Sequence, residues 1–106
     1  MNILFICGKN QLRSPTAENV FSEYPNLEVR SAGVDNDAVH QIDAEDVDWA
    51  DYIFAMEEKH KEKLMNKFRD SIKNQKVIVL NIQDKYKYMD EDLVRELEEK
   101  VQRYLI

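Results

Sequence analysis

The chain has 106 residues, 43% apolar and 34% charged, with a formal net charge of −6. That length supports one domain with one modest core, and the composition is that of a globular protein. The acidic balance argues against a nucleic-acid partner, whose phosphate backbone calls for Lys and Arg. A membrane is not expected as a partner either, because the sequence contains no apolar run long enough to span a bilayer.

The N-terminus lacks the basic flank and long apolar stretch of a secretory signal, and the single cysteine, Cys7, permits no internal disulfide. A reducing cytoplasm is therefore the expected location. Two glycines and two prolines punctuate the chain, and no linker or repeat divides it, so residues 1–106 are expected to form one unit.

Residues 2–6 open the chain as an apolar strand. Ser14 is a plausible N-cap, with Pro15 at the first helical position. Ala17, Val20, Phe21 and Tyr24 then share one helical face before Pro25 stops the helix. Leu27-Glu28-Val29 reads as a short second strand, ending near Ser31-Ala32-Gly33, and residues 34–41 read as polar loop. Asp43 caps a short helix, with Asp46 in the reciprocal position and Ile42 and Val47 as a hydrophobic staple.

Tyr52 to Met56 is the third strand, and Glu57 to Phe68 a charged helix with Leu64 and Phe68 inward. Val77 to Leu80 is the fourth strand, continuously apolar as expected when both faces are covered. Asp90 caps a last helix whose stripe is Leu93, Val94, Leu97, Val101, Tyr104 and Leu105. Trp49 is expected in the core, and His40 and His60 on a polar loop and a charged helix. With one cysteine and two distant histidines, no metal site is expected.

Alternating strands and helices predict an α/β domain of three layers, a four-stranded parallel sheet with helices on both faces. In such open sheets ligands bind beyond the carboxyl ends of the strands. Cys7 lies at such an end, as do the residues around Gly33, Glu57 and Asp84.

Cys7-Gly8-Lys9-Asn10-Gln11-Leu12-Arg13-Ser14 thus joins a strand end to a helix start, and no carboxylate side chain occurs before Glu18. The thiolate is the nucleophilic form of cysteine, favoured by a helix N-terminus and a nearby cation. Successive loop N–H groups form an anion nest, to which Arg13 adds a two-pronged grip. Gly8 allows close backbone approach, and Ser14 can donate its hydroxyl to the sulfur. Residues 8–14 are therefore the expected phosphate cradle, and the combination points to phosphoryl transfer through cysteine.

Cys-x5-Arg-Ser-Pro after an N-terminal strand resembles the low-molecular-weight protein tyrosine phosphatases. Thr16-Ala17-Glu18, Asn10, Ser31-Ala32-Gly33 and Ala50-Asp51-Tyr52-Ile53 with Met56 add to the resemblance. It implies that family's flavodoxin-like fold and a phosphatase mechanism in which Cys7 attacks phosphorus and water then releases phosphate. Arg13 would grip the phosphoryl oxygens, and an aspartic acid would protonate the leaving group.

The family's acid opens an Asp-Pro-Tyr-Tyr segment, and Asp84-Lys85-Tyr86-Lys87-Tyr88 stands in that place. The resemblance selects Asp84 as the acid, with Asp90 the competitor, and Tyr86 and Tyr88 as walls for an aromatic leaving group. Asp35 and Asp37 could also reach the pocket, although a solvated loop is the plainer expectation for them. The implied partners are a phosphorylated protein or small phosphomonoester as substrate, and inorganic phosphate or sulfate in the loop. No cofactor is implied.

This chain departs from the pattern in three places. Leu12 stands where a second cysteine is frequent, Lys9 replaces a glycine, and residues 34–50 form a shorter connection than usual. Arsenate reduction with an external thiol, a phosphocysteine carrier, and a non-catalytic phosphate or phosphopeptide reader remain as alternatives.

Overall fold

A computed structural model describes residues 1–105. Its centre is β1 (Asn2–Cys7), flanked by β2 (Glu28–Gly33) on one side and β3 (Tyr52–Ala55) on the other, with β4 (Lys76–Val79) beyond β3. All neighbouring pairs are parallel, so this is the expected four-stranded α/β sheet, in the order β2-β1-β3-β4.

Side chains alternate across a strand, so β1 feeds two cores. Ile3, Phe5 and Cys7 point to the face covered by α1 (Arg13–Phe21) and α4 (Glu91–Leu105), where they meet Ala17, Phe21, Leu93, Leu97 and Val101. Leu4 and Ile6 point to the face covered by α2 (Ala44–Trp49) and α3 (Glu58–Phe68), where they meet Val47 and Leu64. Phe5 sits between Phe21 and Phe54, both ring centroids 5.5 Å away. Such offset aromatic pairs add about 0.5–1.5 kcal/mol beyond their buried area.

The chain leaves β1 toward β2 on one side and later returns to β3 on the other. The loops after β1 and β3 therefore diverge, opening a crevice at their carboxyl ends, which is where this topology places ligands. Cys7 ends β1 and Glu57 follows β3.

Several local expectations need correction. Helix α1 begins at Arg13 with Leu12 at the cap position, so Ser14 lies inside the first turn and caps nothing. Its hydroxyl is committed to Cys7 instead. Pro15 is still tolerated, since N–H groups of the first turn have no helical acceptor. The helix ends at Phe21, short of Tyr24, where Ser22 Oγ donates to the Asn19 carbonyl and Asn26 turns the chain at φ 68°. Tyr24 nonetheless packs on Phe21.

Strand β2 begins at Glu28, one residue after Leu27, and ends at Gly33 within the stretch where its end was expected, paired with β1 along its whole length. Strand β4 lies at the edge of the sheet and is half-buried, so its apolarity does not reflect two covered faces. Trp49 is half-buried at the margin of the core, with the Arg30 guanidinium 4.1 Å above its ring.

The Asp43–Asp46 capping box is present: Asp46 N–H donates to Asp43 Oδ1 at 2.9 Å, and Asp43 N–H to Asp46 Oδ2 at 3.4 Å. Asp90 accepts from the Asp92 N–H at the start of α4. Among the described residues no helix is long and apolar enough to cross a membrane.

Candidate active site

The loop after β1 is held by its carbonyls. Cys7 O accepts from Val34 N–H, Gly8 O from Asp35 N–H, and Lys9 O from Val39 N–H, at 2.9–3.0 Å. Among the described residues, none of the backbone N–H groups of residues 8–14 donates to a protein acceptor. The segment following β2 therefore binds one side of the peptide units and leaves their donors free. Gly33 makes this approach possible: a Cβ there would lie 2.5 Å from Gly8 O and 2.4 Å from Ala38 Cβ.

Asn10 sets the turn. It is buried at φ 57°, a left-handed conformation that Asn adopts more readily than most side-chain-bearing residues. Its Nδ2 donates to both Ser14 Oγ and Ser31 Oγ at 3.0 Å. Ser31 Oγ–H in turn donates a hydrogen bond to Glu18 Oε1. Ser14 Oγ, already accepting from Asn10, is hydrogen-bonded to Cys7 Sγ at 3.0 Å, and its hydroxyl can donate to the thiolate form of the sulfur.

Arg13 is 5% exposed. Its Nη1 donates to Glu57 Oε2 at 2.5 Å and to the Ile82 carbonyl at 2.8 Å, while Nε lies 3.7 Å from Asp84 Oδ1. The guanidinium is thus fixed by residues following β3 and β4, and it holds the Glu57 carboxyl below its ordinary pKa. Thr16 ties the end of the loop after β1 to the segment before α4, donating to Leu12 O and accepting from Met89 N–H.

A cavity of about 260 Å³ opens over the loop. Of the residues read as site residues from the sequence, Cys7, Gly8, Lys9, Gln11, Leu12, Arg13 and Asp84 line it. Asn10 and Ser14 lie behind the loop as its supports. Asp84 stands at the rim with a largely exposed side chain.

The two tyrosines are not brought there. Tyr86 Oη donates to Glu96 Oε1 at 2.7 Å, a bond that raises its pKa to about 12 and turns the side chain toward α4. Tyr88 accepts from Asn19 Nδ2 and lines a neighbouring groove with Pro15 and Val39. The expected aromatic walls are thus drawn away by hydrogen-bond partners on α1 and α4.

Four lining residues were not among those expected to form the site: Asp35, Lys59, His60 and Lys63. Asp35 is half-buried between Lys63 and Lys9, which hold its carboxyl below the ordinary range, whereas Asp37 is exposed and paired with Lys9. His60 is 2% exposed, not a solvated helix residue. Its signal was its position three residues after Glu57 at the opening of α3, which turns it back toward the sheet edge. Glu57 itself was placed on the correct edge by topology, but nothing in the sequence identified it as the partner of Arg13.

The model for the family described as low molecular weight phosphotyrosine protein phosphatase matches residues 2–44. A protein-arginine-phosphatase of Geobacillus stearothermophilus is 30% identical over 93 aligned positions covering 65% of this chain. The chain spans 63% of that relative's length. The solved YwlE arginine phosphatase of Geobacillus stearothermophilus superposes with a TM-score of 0.69 at 25% identity, covering 97% of this chain and 94% of the other. The tyrosine phosphatase Wzb of Escherichia coli K30, solved in complex with phosphate, shares the fold with a TM-score of 0.77 at 20% identity, covering 97% and 94% of the two chains. In residues 2–44 and in its overall architecture, the chain is therefore similar to the low molecular weight phosphotyrosine protein phosphatases.

Proposed function

We propose that the chain is a cysteine-dependent phosphatase acting on phosphorylated protein side chains. The observation that carries this reading is the set of unpaired N–H groups of residues 8–14 around a cavity that also contains Cys7 and Arg13. The Cys7 thiolate attacks phosphorus, forming an S–P bond as the P–O bond to the leaving group breaks. Asp84 gives its proton to the leaving oxygen. Water then attacks the phosphocysteine, Asp84 takes up the water proton, the S–P bond breaks and phosphate departs. Loop N–H groups and Arg13 stabilise the equatorial oxygens in both steps.

Phosphotyrosine is the substrate the family description suggests. A second reading, phosphoarginine, is favoured by two observations. Tyr86 and Tyr88 leave the cavity without its expected aromatic walls, while the Asp35 and Asp84 carboxylates line it and suit a guanidinium group. The curated relative is an arginine phosphatase.

The test is hydrolysis of an aryl phosphate, a phosphotyrosine peptide and a phosphoarginine peptide by the purified protein and by Cys7→Ser and Arg13→Ala. Loss of turnover in both variants is expected. Unchanged turnover in Cys7→Ser would refute the mechanism, and phosphate binding without hydrolysis in the parent protein would leave a reader, not an enzyme.

A further inference from the structure

His60 is buried, and its two ring nitrogens have different tasks. The Glu57 N–H donates to Nδ1 at 3.1 Å, so Nδ1 carries no proton and the neutral ring has its proton on Nε2. Among the described residues Nε2 has no protein partner, and no side-chain polar atom is both sealed from solvent and unpartnered. His60 lines the Cys7 cavity, so the cavity is what Nε2 faces. It stands beside Gly8: a Cβ added to that glycine would lie 3.7 Å from Nε2. The same Cβ would come within 3.0 Å of Asp35 Oδ2, so the imidazole and the Asp35 carboxylate stand together beside the Gly8 backbone.

We propose that His60 is a further substrate-binding residue, its Nε2–H donating a hydrogen bond to the oxyanion held by the loop. This rests on the phosphatase reading for the identity of the anion, but the donor itself follows from the local geometry. The ring adds a directed donor without adding charge. Asp35 and Glu57 already partner nearby cations, so a second full charge beside Arg13 would need a counter-ion of its own. Burial and the facing Arg13 lower the pKa of His60 to about 4, with Lys59 acting in the same sense and Glu57 and Asp35 opposing, which keeps the ring neutral at physiological pH.

The two amide side chains separate the two nitrogens. Asn places an oxygen near the Nδ1 position and keeps the acceptor for the Glu57 N–H, but it withdraws the donor from the cavity. Gln reaches toward the Nε2 position. Binding of inorganic phosphate, measured by calorimetry, is expected to weaken about 10-fold in His60→Asn and to recover at least partly in His60→Gln. Equal phosphate affinity in folded His60→Asn and the parent protein overturns the proposal.

Should the variants not fold, the 15N resonances of the His60 ring in the parent protein decide. The proposal requires the Nε2–H tautomer and a shift of Nε2 on saturation with phosphate. The other tautomer, or an Nε2 resonance that phosphate leaves in place, overturns it. Both measurements read binding and not turnover, so failure of the phosphatase reading and failure of this one are distinguishable.

Discussion

Arg13 reaches the Cys7 cavity with its charge already partnered, because Glu57 meets its Nη1 at 2.5 Å and the Ile82 carbonyl takes the same nitrogen. A long arginine side chain has many rotamers, and this pairing selects one. Removing the carboxylate leaves a buried guanidinium short of its counter-charge. Glu57→Ala is expected to destabilise the fold by about 2–3 kcal/mol and to lower kcat/KM at least 10-fold, with Glu57→Gln intermediate. Chemical denaturation and steady-state kinetics check this; a variant with full stability and activity would show that Arg13 needs no anchor.

Asn10 combines a left-handed backbone with two side-chain donors. Ala at this position loses both bonds and keeps the conformational strain, whereas Gly loses the bonds alone. Asn10→Ala is therefore expected to cost about 2–4 kcal/mol, and Asn10→Gly about 1 kcal/mol less than that. Equal melting temperatures for the two variants would contradict the assignment of strain at this residue.

Asp84 is exposed and close to Arg13, a position suited to proton exchange with a leaving group. Asp84→Asn is expected to slow hydrolysis by about 10²-fold or more for poor leaving groups and much less for good ones. A uniform effect across leaving groups would remove Asp84 from the acid role and return attention to Asp35.

The pH dependence of stability has a definite sign. His60 is neutral in the fold down to about pH 4, while the unfolded chain takes up a proton near pH 6.5. The unfolded state therefore binds more protons between these values, and stability falls as pH drops from 6.5 to 4, by up to about 3 kcal/mol from this group. Glu57, whose pKa is lowered chiefly by its bond to Arg13, adds a further loss below its ordinary value of 4.5. Urea unfolding across pH 4–7 should show the slope, and His60→Asn should flatten its upper part. An unaltered slope in that variant would mean that another group carries it.

Gly33 is a steric requirement, since a Cβ there would strike the Gly8 carbonyl. Gly33→Ala is expected to destabilise the protein by about 1–3 kcal/mol and to reduce phosphate binding, because the contact it breaks supports the anion nest. Calorimetric melting with and without phosphate reads both effects.

Local physics made much of this protein legible in its sequence. The apolar run before Cys7, the strand-and-helix alternation and the Asp43–Asp46 box each follow from periodicity or capping, which neighbouring residues decide among themselves. The spacing of Cys7 and Arg13 around a loop end likewise pointed to the loop over which the cavity opens. Contacts across the sheet were not legible. Glu57 meets Arg13 across 44 positions and Tyr88 meets Asn19 of α1 across 69, while His60 stands beside Gly8 only because β1 and β3 lie side by side. Hydrogen bonds and ion pairs act over a few ångströms, and chain order sets no such distance until the parallel sheet has closed. The sequence by itself therefore determined the strand–loop–helix unit that carries Cys7 and Arg13, whereas the tertiary structure alone decided which side chains hold that loop and which face its cavity.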